Sequence, residues 1–376
     1  MPPELSIDQE AMIVDIARLV SCESPSSDHG AVARSAEEVA AVITQRTGAT
    51  AERIVIDGVT HLRVRWGRGP RRTLVLAHHD TVWPIGSLRS LPFHVRDGVI
   101  TGPGCFDMKT GLVMAIHAVA ALSRQNPRLL DGVTMLVTGD EEVGSPTSRA
   151  LIEQEALGCS AALVLEAAAE HGALKTVRKG VSTYHLRVHG RAAHAGLDPE
   201  NGVNATLELA HQILFCATLA APAAGTTVTP TTASAGETGN TVPAEAVLYL
   251  DVRASTEVEQ ERVDDALRAA RPHLPDARIT IEGGPNRAPL TAQSSSALFA
   301  RAEALAERLG LPPLTRASVG GGSDGNLTAG LGVPTLDGLG AVGGGAHAED
   351  EHVEVAHLVP RTRLLAALIE DLGGTT

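Results

Sequence analysis

Five stretches of this sequence carry residues that hold divalent cations or move protons: AHHDTV at 77–82, GPGCFDMKTG at 102–111, DEEVGS at 140–145, LVLEAA at 163–168 and GGGAHAED at 343–350. They supply His78, Asp80, Asp107, Glu141, Glu142, Glu166 and His347. Taken singly, each residue has an ordinary explanation. A histidine or acid after a strand is solvated, Asp107 reads as a helix N-cap, and Glu141 with Glu142 reads as first-turn charge favoured by the helix dipole. Taken together they mean more. Three of the stretches end short apolar runs, and in a parallel α/β sheet ligands bind beyond the carboxyl ends of the strands. Acids and imidazoles gathered on that rim repel and desolvate one another unless a cation neutralises them.

The composition of the cluster fits two ions better than one. A lone catalytic zinc takes about three protein ligands and keeps a position open. Five ligands suit a pair: one bridging carboxylate, plus an imidazole and a carboxylate for each ion. Zn²⁺ matches this mixture, and the same ligands accept Co²⁺ or Mn²⁺. One carboxylate then stays off the metal as general base, and adjacent Glu141 and Glu142 divide those tasks. Asp80, two residues beyond His78, is placed to accept the second ring N–H and fix the tautomer.

Regular elements must position these groups. Ser6 and Gln9 form a capping-box pattern ahead of apolar residues at helical spacing, Met12, Ile13, Ile16, Leu19 and Val20. Residues 73–77, 133–138 and 162–165 are short apolar runs without alternation, as strands buried on both faces are. A helical pattern at 109–124 lies between the first two, so the expected fold is α/β, a mostly parallel sheet flanked by helices. Near residue 180 the pattern changes to strict alternation in VSTYHLRVHG. Helical and strand signals follow at 203–215, 226–232, 244–253, 257–270 and 277–282. That β-α-β-β-α-β order predicts an inserted α+β, ferredoxin-like domain. The expected boundaries are 1–179 and 288–376 for the first domain, with 180–287 inserted. The resumed part carries helices at 296–309 and 358–372 and a short strand at 333–336.

At 376 residues the chain is long for one compact domain, and its 43% apolar and 20% charged content is that of a globular protein. A net charge of −13 argues against nucleic acid as partner and requires local Arg or Lys for any anionic substrate. Cys22, Cys105, Cys159 and Cys216 form no CxxC pair, which suits a reducing compartment. The N-terminal MPPELSIDQEAMIV has no basic signal-peptide region, and no apolar run reaches the roughly 20 residues of a membrane span. A cytoplasmic protein is expected. His79, His117 and His211 read as structural, and Arg178 and Lys179 as surface residues. GGGSDGN at 320–326 lacks the G-K-[ST] of a phosphate loop.

The five stretches resemble the metal-site motifs of the M20 metallopeptidases, most closely glutamate carboxypeptidases of the carboxypeptidase G2 type, and the likeness runs along nearly the whole chain. The resemblance implies a zinc exopeptidase-like catalytic domain in which His78, Asp107 and Glu166 bind one Zn²⁺. His347, Glu142 and the same bridging Asp107 would bind the second ion of each subunit. It implies Glu141 as general base, Asp80 as the partner of His78, and a cis peptide at Asp107–Met108. Glutamate at 166, where the family's aminopeptidases tend to carry aspartate, points to a carboxypeptidase or deacylase. GRAAHAGLDPENGVNA and GNTVPAEAVLYLDVRA resemble the family's lid, which is also its dimerisation domain, so a homodimer is implied. His194 would steady the oxyanion in the partner subunit's site, while Asn240, Arg253 and Arg287 would hold the substrate carboxylate. The segment with Ser323 and Asp324 resembles one that lines the family's substrate pocket.

The implied function is release of a C-terminal amino acid, glutamate first, from a small peptide or N-acyl amino acid by water that Glu141 deprotonates. The alternatives are an N-acyl-amino-acid deacylase of the acetylornithine deacetylase or succinyl-diaminopimelate desuccinylase type, and a non-catalytic scaffold on the same fold.

Overall fold

The structure, a computed structural model, describes residues 5–67, 69–70 and 72–374. Its first helix, Gln9–Ser21, is capped by Asp8, whose carboxylate accepts the Ala11 amide at 3.1 Å. The cap expected at Ser6 is therefore displaced by an acid two residues on, which meets the helix dipole with a full charge.

Among the described residues the chain divides into two compact units. The first runs through Val177 and resumes over Leu290–Val319 and from Ser323 onward; the second is Arg178–Pro289 with Gly320–Gly322. The first unit is built on a six-stranded sheet in the order Glu52–Ile56, Val59–Arg65, Val133–Thr138, Thr73–His78, Ala161–Val164, Thr335–Leu336. The last four strands run parallel to one another. Every residue of Thr73–His78 and Val133–Thr138 is buried, the cause of their unbroken apolar pattern.

The first two strands, at one edge of this sheet, are antiparallel and lie outside the sequence expectation. They form a hairpin through Asp57 and Gly58, both at positive φ (48° and 86°), the geometry that an Asp-Gly turn favours. Arg63 and Arg65 on this hairpin hold the buried Glu155 of helix Arg149–Ala156 at 2.8 and 2.7 Å.

Behind the sheet, helix Thr110–Gln125 is buried from Thr110 to Leu122, against helices His29–Thr47 and Leu358–Gly374. The stretch Cys105–Gln125 has the length and apolar composition to cross a membrane, but its backbone is not helical at Asp107 and Met108, so the regular helix begins only at Thr110. Lys109 and Arg124 bound its apolar run, which is buried in the protein core. Gly111 at the helix start is a close-approach position, since a Cβ there would lie 2.1 Å from the Leu165 carbonyl oxygen. That contact sets the helix carrying the Asp107 turn hard against the strand end carrying Glu166.

The second unit is a four-stranded antiparallel sheet in the order Thr227–Ala235, Glu245–Ala254, Gly180–His189, Arg278–Arg287. Helices Ala205–Thr218 and Glu257–Arg268 pack on it. The alternation read from the sequence is the burial pattern: Tyr184, Leu186 and Val188 form its core with Leu248, Leu250 and Val252. Arg178 is not a surface residue; it is 4% exposed and donates to the Gly321 and Gly322 carbonyls at 3.1 and 3.4 Å. This contact explains why the three glycines group with the second unit.

Candidate metal centre

His78 closes its strand with the ring buried. Its Nδ1 lies 3.0 Å from the Asp80 backbone carbonyl and 3.3 Å from Asp80 Oδ1. The ring N–H is thus held first by the main chain of Asp80 and then by its carboxylate, which leaves Nε2 as the outward nitrogen. Nε2 lies 3.4 Å from Asp107 Oδ1 and 3.5 Å from Glu166 Oε1. On the other side, His347 Nε2 lies 3.4 Å from Asp107 Oδ2 and 3.1 Å from Glu142 Oε2. Asp107 therefore divides its two oxygens between two imidazoles. The Asp107–Met108 peptide is cis, as the motif resemblance implies.

These residues form two groups able to hold an ion, His78 with Asp107 and Glu166, and Asp107 with Glu142 and His347. A test of fit comes from the hydrogen bonds. His78 Nε2, Asp107 Oδ1 and Glu142 Oε1 are buried without a hydrogen-bond partner among the described residues. Buried polar atoms are normally satisfied, and three orphans facing one cluster are what cation ligands look like. Imidazole and carboxylate are also the donor set that divalent transition metals take.

The electrostatics agree. Burial pushes the Asp107 carboxyl up, but the neighbouring His347 and His78 imidazoles outweigh it and hold the group far below the usual range. His347 is pushed up to about 10 by Asp107 and Glu142. Burial lowers His78, yet Asp107, Asp80 and Glu166 together raise it well above 6.5. Burial and the Asp107 charge raise Glu142. The acids thus demand positive charge at this spot, a demand that divalent ions meet.

Supporting groups set the candidate ligands in place. The Asp80 carboxylate accepts Ser26 Oγ at 2.7 Å and the amides of Glu141 and Glu142 at 3.2 Å each. The turn Glu141–Val143 is held further by Asp140, which accepts the Thr147 amide and hydroxyl at 2.7 Å, and by Asp324, which accepts the Ser145 and Thr138 hydroxyls. His61 takes the Gly139 amide on Nδ1 at 3.2 Å and turns Nε2 to Thr147 Oγ1 at 3.0 Å. Gly340 donates its amide to the Glu166 carbonyl at 2.9 Å, and a Cβ there would lie 2.2 Å from the Leu165 oxygen. His347 sits at φ 63°, a left-handed conformation rare outside glycine and Asn/Asp/His. Ser26 and His61 carry no motif signal of their own, whereas Asp140 opens the DEEVGS stretch.

His79 and His117 are structural, as expected. His79 bonds Ser35 Oγ and the Thr60 carbonyl, and His117 bonds Asp15, which Arg46 also grips. In the second unit His194 pairs with Thr241 across a two-residue ladder. Its Nδ1 accepts the Gly196 amide at 3.1 Å, which puts the ring proton on Nε2. Asn240 is beside it, its carbonyl accepting the Ala195 amide. Arg253 and Arg287 both stand opposite Val181, on either side of the central strand. The Arg253 fork is engaged by Asp251 of its own strand, two bonds of 2.8 Å. Arg287 is buried.

Comparison with known proteins places this architecture. Residues 74–371 match the pattern of Peptidase family M20/M25/M40. The chain is 30% identical to carboxypeptidase G2 of Pseudomonas sp. (strain RS-16), over 97% of this chain and 90% of that protein. It is 27% identical to the succinyl-diaminopimelate desuccinylase of Acinetobacter baylyi, over 92% of this chain and 94% of that protein. Among solved structures, an M20 family metallo-carboxypeptidase from Sulfolobus solfataricus shares the fold with a TM-score of 0.77 at 16% identity, over 96% of this chain and 99% of that one. The chain belongs to peptidase family M20/M25/M40. It is a hydrolase of the metallopeptidase and amidohydrolase kind, with a catalytic unit and an inserted lid.

Proposed function

We propose that this protein is a metal-dependent carboxypeptidase that hydrolyses an amide bond to release a C-terminal amino acid, with glutamate the first candidate. The observation that carries the reading is Asp107, whose two oxygens face His78 and His347 separately within a cluster of orphaned buried polar atoms. Two Zn²⁺, or Co²⁺ or Mn²⁺ in their place, would be held by His78, Asp107 and Glu166 and by Asp107, Glu142 and His347; bound there, they supply Lewis acidity for the scissile carbonyl and acidify water. Glu141 is assigned as general base: it takes the proton of the attacking water and delivers it to the departing amine. Asp80 holds the Glu141 and Glu142 amides and steers the His78 ring. In the lid, His194 carries its proton on Nε2 and is assigned as donor to the developing oxyanion. Asn240, Arg253 and Arg287 are assigned to the substrate's carboxylate, which suits the planar arginine fork.

The 30% identity to carboxypeptidase G2 supports release of glutamate, and the 27% identity to a succinyl-diaminopimelate desuccinylase supports N-acyl-amino-acid deacylation as a second reading. Both readings use the same bond chemistry. A panel of folyl- and acyl-glutamates against succinyl- and acetyl-amino acids, run with and without chelator, separates them. Preference for the second set removes the carboxypeptidase assignment, and chelator-insensitive turnover removes the metal.

A homodimer through the lid is supported by helix Ala205–Thr218, which leaves Leu207 (55%) and Leu214 (68%) exposed two turns apart, and by the edge strand Thr227–Ala235. Sedimentation gives the mass directly. Four free cysteines support a reducing, cytoplasmic location.

A further inference from the structure

Glu351 belongs to an acidic run, Glu349-Asp350-Glu351, that reads as solvent-facing, yet it is only 3% exposed. A buried carboxylate needs donors to replace its lost hydration. Its Oε1 accepts the amides of Phe106 at 2.8 Å and Asp107 at 3.0 Å. Its Oε2 accepts the Gly104 amide at 2.8 Å and the Trp83 indole N–H at 2.7 Å. Backbone amides of one turn converging on one carboxylate fix that turn, because charge-assisted bonds are short and directional. The turn so fixed presents Asp107.

At its own end Glu351 closes the loop of His347. The Ala348 amide donates to the Gly345 carbonyl at 2.9 Å and the Glu351 amide to the Ala348 carbonyl at 3.0 Å. His347, four residues before Glu351, is held within these bonds in its left-handed conformation. One side chain therefore joins the segment of the shared carboxylate to the segment of an imidazole that faces it.

We propose that Glu351 is a positioning residue of the metal centre: it ties the Asp107 turn to the His347 loop so that the two side chains are set for a cation in advance. This rests on the metal-centre reading above. Glu351→Gln keeps the volume and the acceptor for Phe106 and Asp107, but its amide nitrogen meets two donors, Gly104 N–H and Trp83 Nε1–H. Trp83→Phe removes the indole donor alone and leaves the three amides.

The test is Co²⁺ binding by calorimetry and by visible absorption, with circular dichroism and thermal melting to establish that each variant is folded. Folded Glu351→Gln is expected to bind Co²⁺ about 10–100-fold more weakly than the wild type, with shifted ligand-field bands. Trp83→Phe is expected to stay within about threefold, since the amide bonds to the Asp107 turn persist. A group that only fills the core lowers the melting temperature without moving the Co²⁺ affinity or spectrum. Wild-type affinity and bands in folded Glu351→Gln overturn the proposal. Should that variant fail to fold, Glu351→Asp, which keeps the charge and withdraws the carboxylate, is read by the same two outcomes. A wild-type protein that binds no Co²⁺ is a separate failure, of the metal reading itself.

Discussion

Asp80 and Glu141 meet through the main chain: the Glu141 amide donates to Asp80 Oδ1 at 3.2 Å, while the Glu142 amide reaches Oδ2 at the same distance. One carboxylate thus aligns a candidate base and a candidate ligand, and its own backbone carbonyl holds the ring of His78. Asp80→Asn keeps the shape but turns an NH₂ toward one of these amides. Activity is expected to fall about 10–100-fold. Unchanged kcat in protein with full metal content contradicts the arrangement.

Glu141 and Glu142 are neighbours with separate assignments, and single substitutions distinguish them. Glu141→Ala is expected to lower kcat by at least about 10²-fold while metal content, read by plasma emission, stays near that of the wild type. Glu142→Ala is expected to lower the metal content. The reverse pattern exchanges the two roles.

Burial holds His61 below its ordinary value of 6.5. The unfolded chain then binds a proton that the folded one refuses whenever the pH lies between the two values. Stability is therefore complete above pH 6.5 and declines as the pH falls below it, by about 1.4 kcal/mol per pH unit for one such group. His79, which burial lowers to about 4, acts with the same sign. Urea midpoints measured from pH 6.5 down to about 5 are expected to fall. His61→Gln should flatten that slope in part, and an unaltered slope assigns the decline elsewhere.

The Arg253 fork is occupied by Asp251, so on the proposed assignment a substrate carboxylate would compete with an internal one. Arg253→Lys, a point charge in place of a fork, is expected to raise KM about tenfold for substrates with a free carboxylate, equivalent to about 1.4 kcal/mol. Esterified or amidated substrates should show no such change. Equal effects on both kinds remove Arg253 from carboxylate recognition.

His78, Glu166 and Asp107 are legible in the sequence because each stands beside the start or end of a regular element. His78 follows an unbroken apolar run, Glu166 another, and Asp107 opens a long helix. The lid's alternation is legible because its sheet buries one face. What is not legible is long-range satisfaction. Nothing in a run of three acids marks Glu351 as the one that turns inward to amides some 245 positions away. His61 lies on a hairpin whose Asp-Gly turn was a usable signal, but its bond to Gly139 exists only once the strands are side by side. Arg178 looks solvated because carbonyl partners on a distant glycine loop leave no trace in local pattern.

The orphaned atoms of His78, Asp107 and Glu142 have an outcome beyond catalysis. Each such buried atom costs about 1–3 kcal/mol when nothing answers it, and a ligand that binds only the folded chain returns that stability by mass action. Scarcity of the ion would therefore raise the unfolded fraction that cellular proteases remove. Nutrient supply would then govern how many copies of the protein persist, alongside how fast each one works.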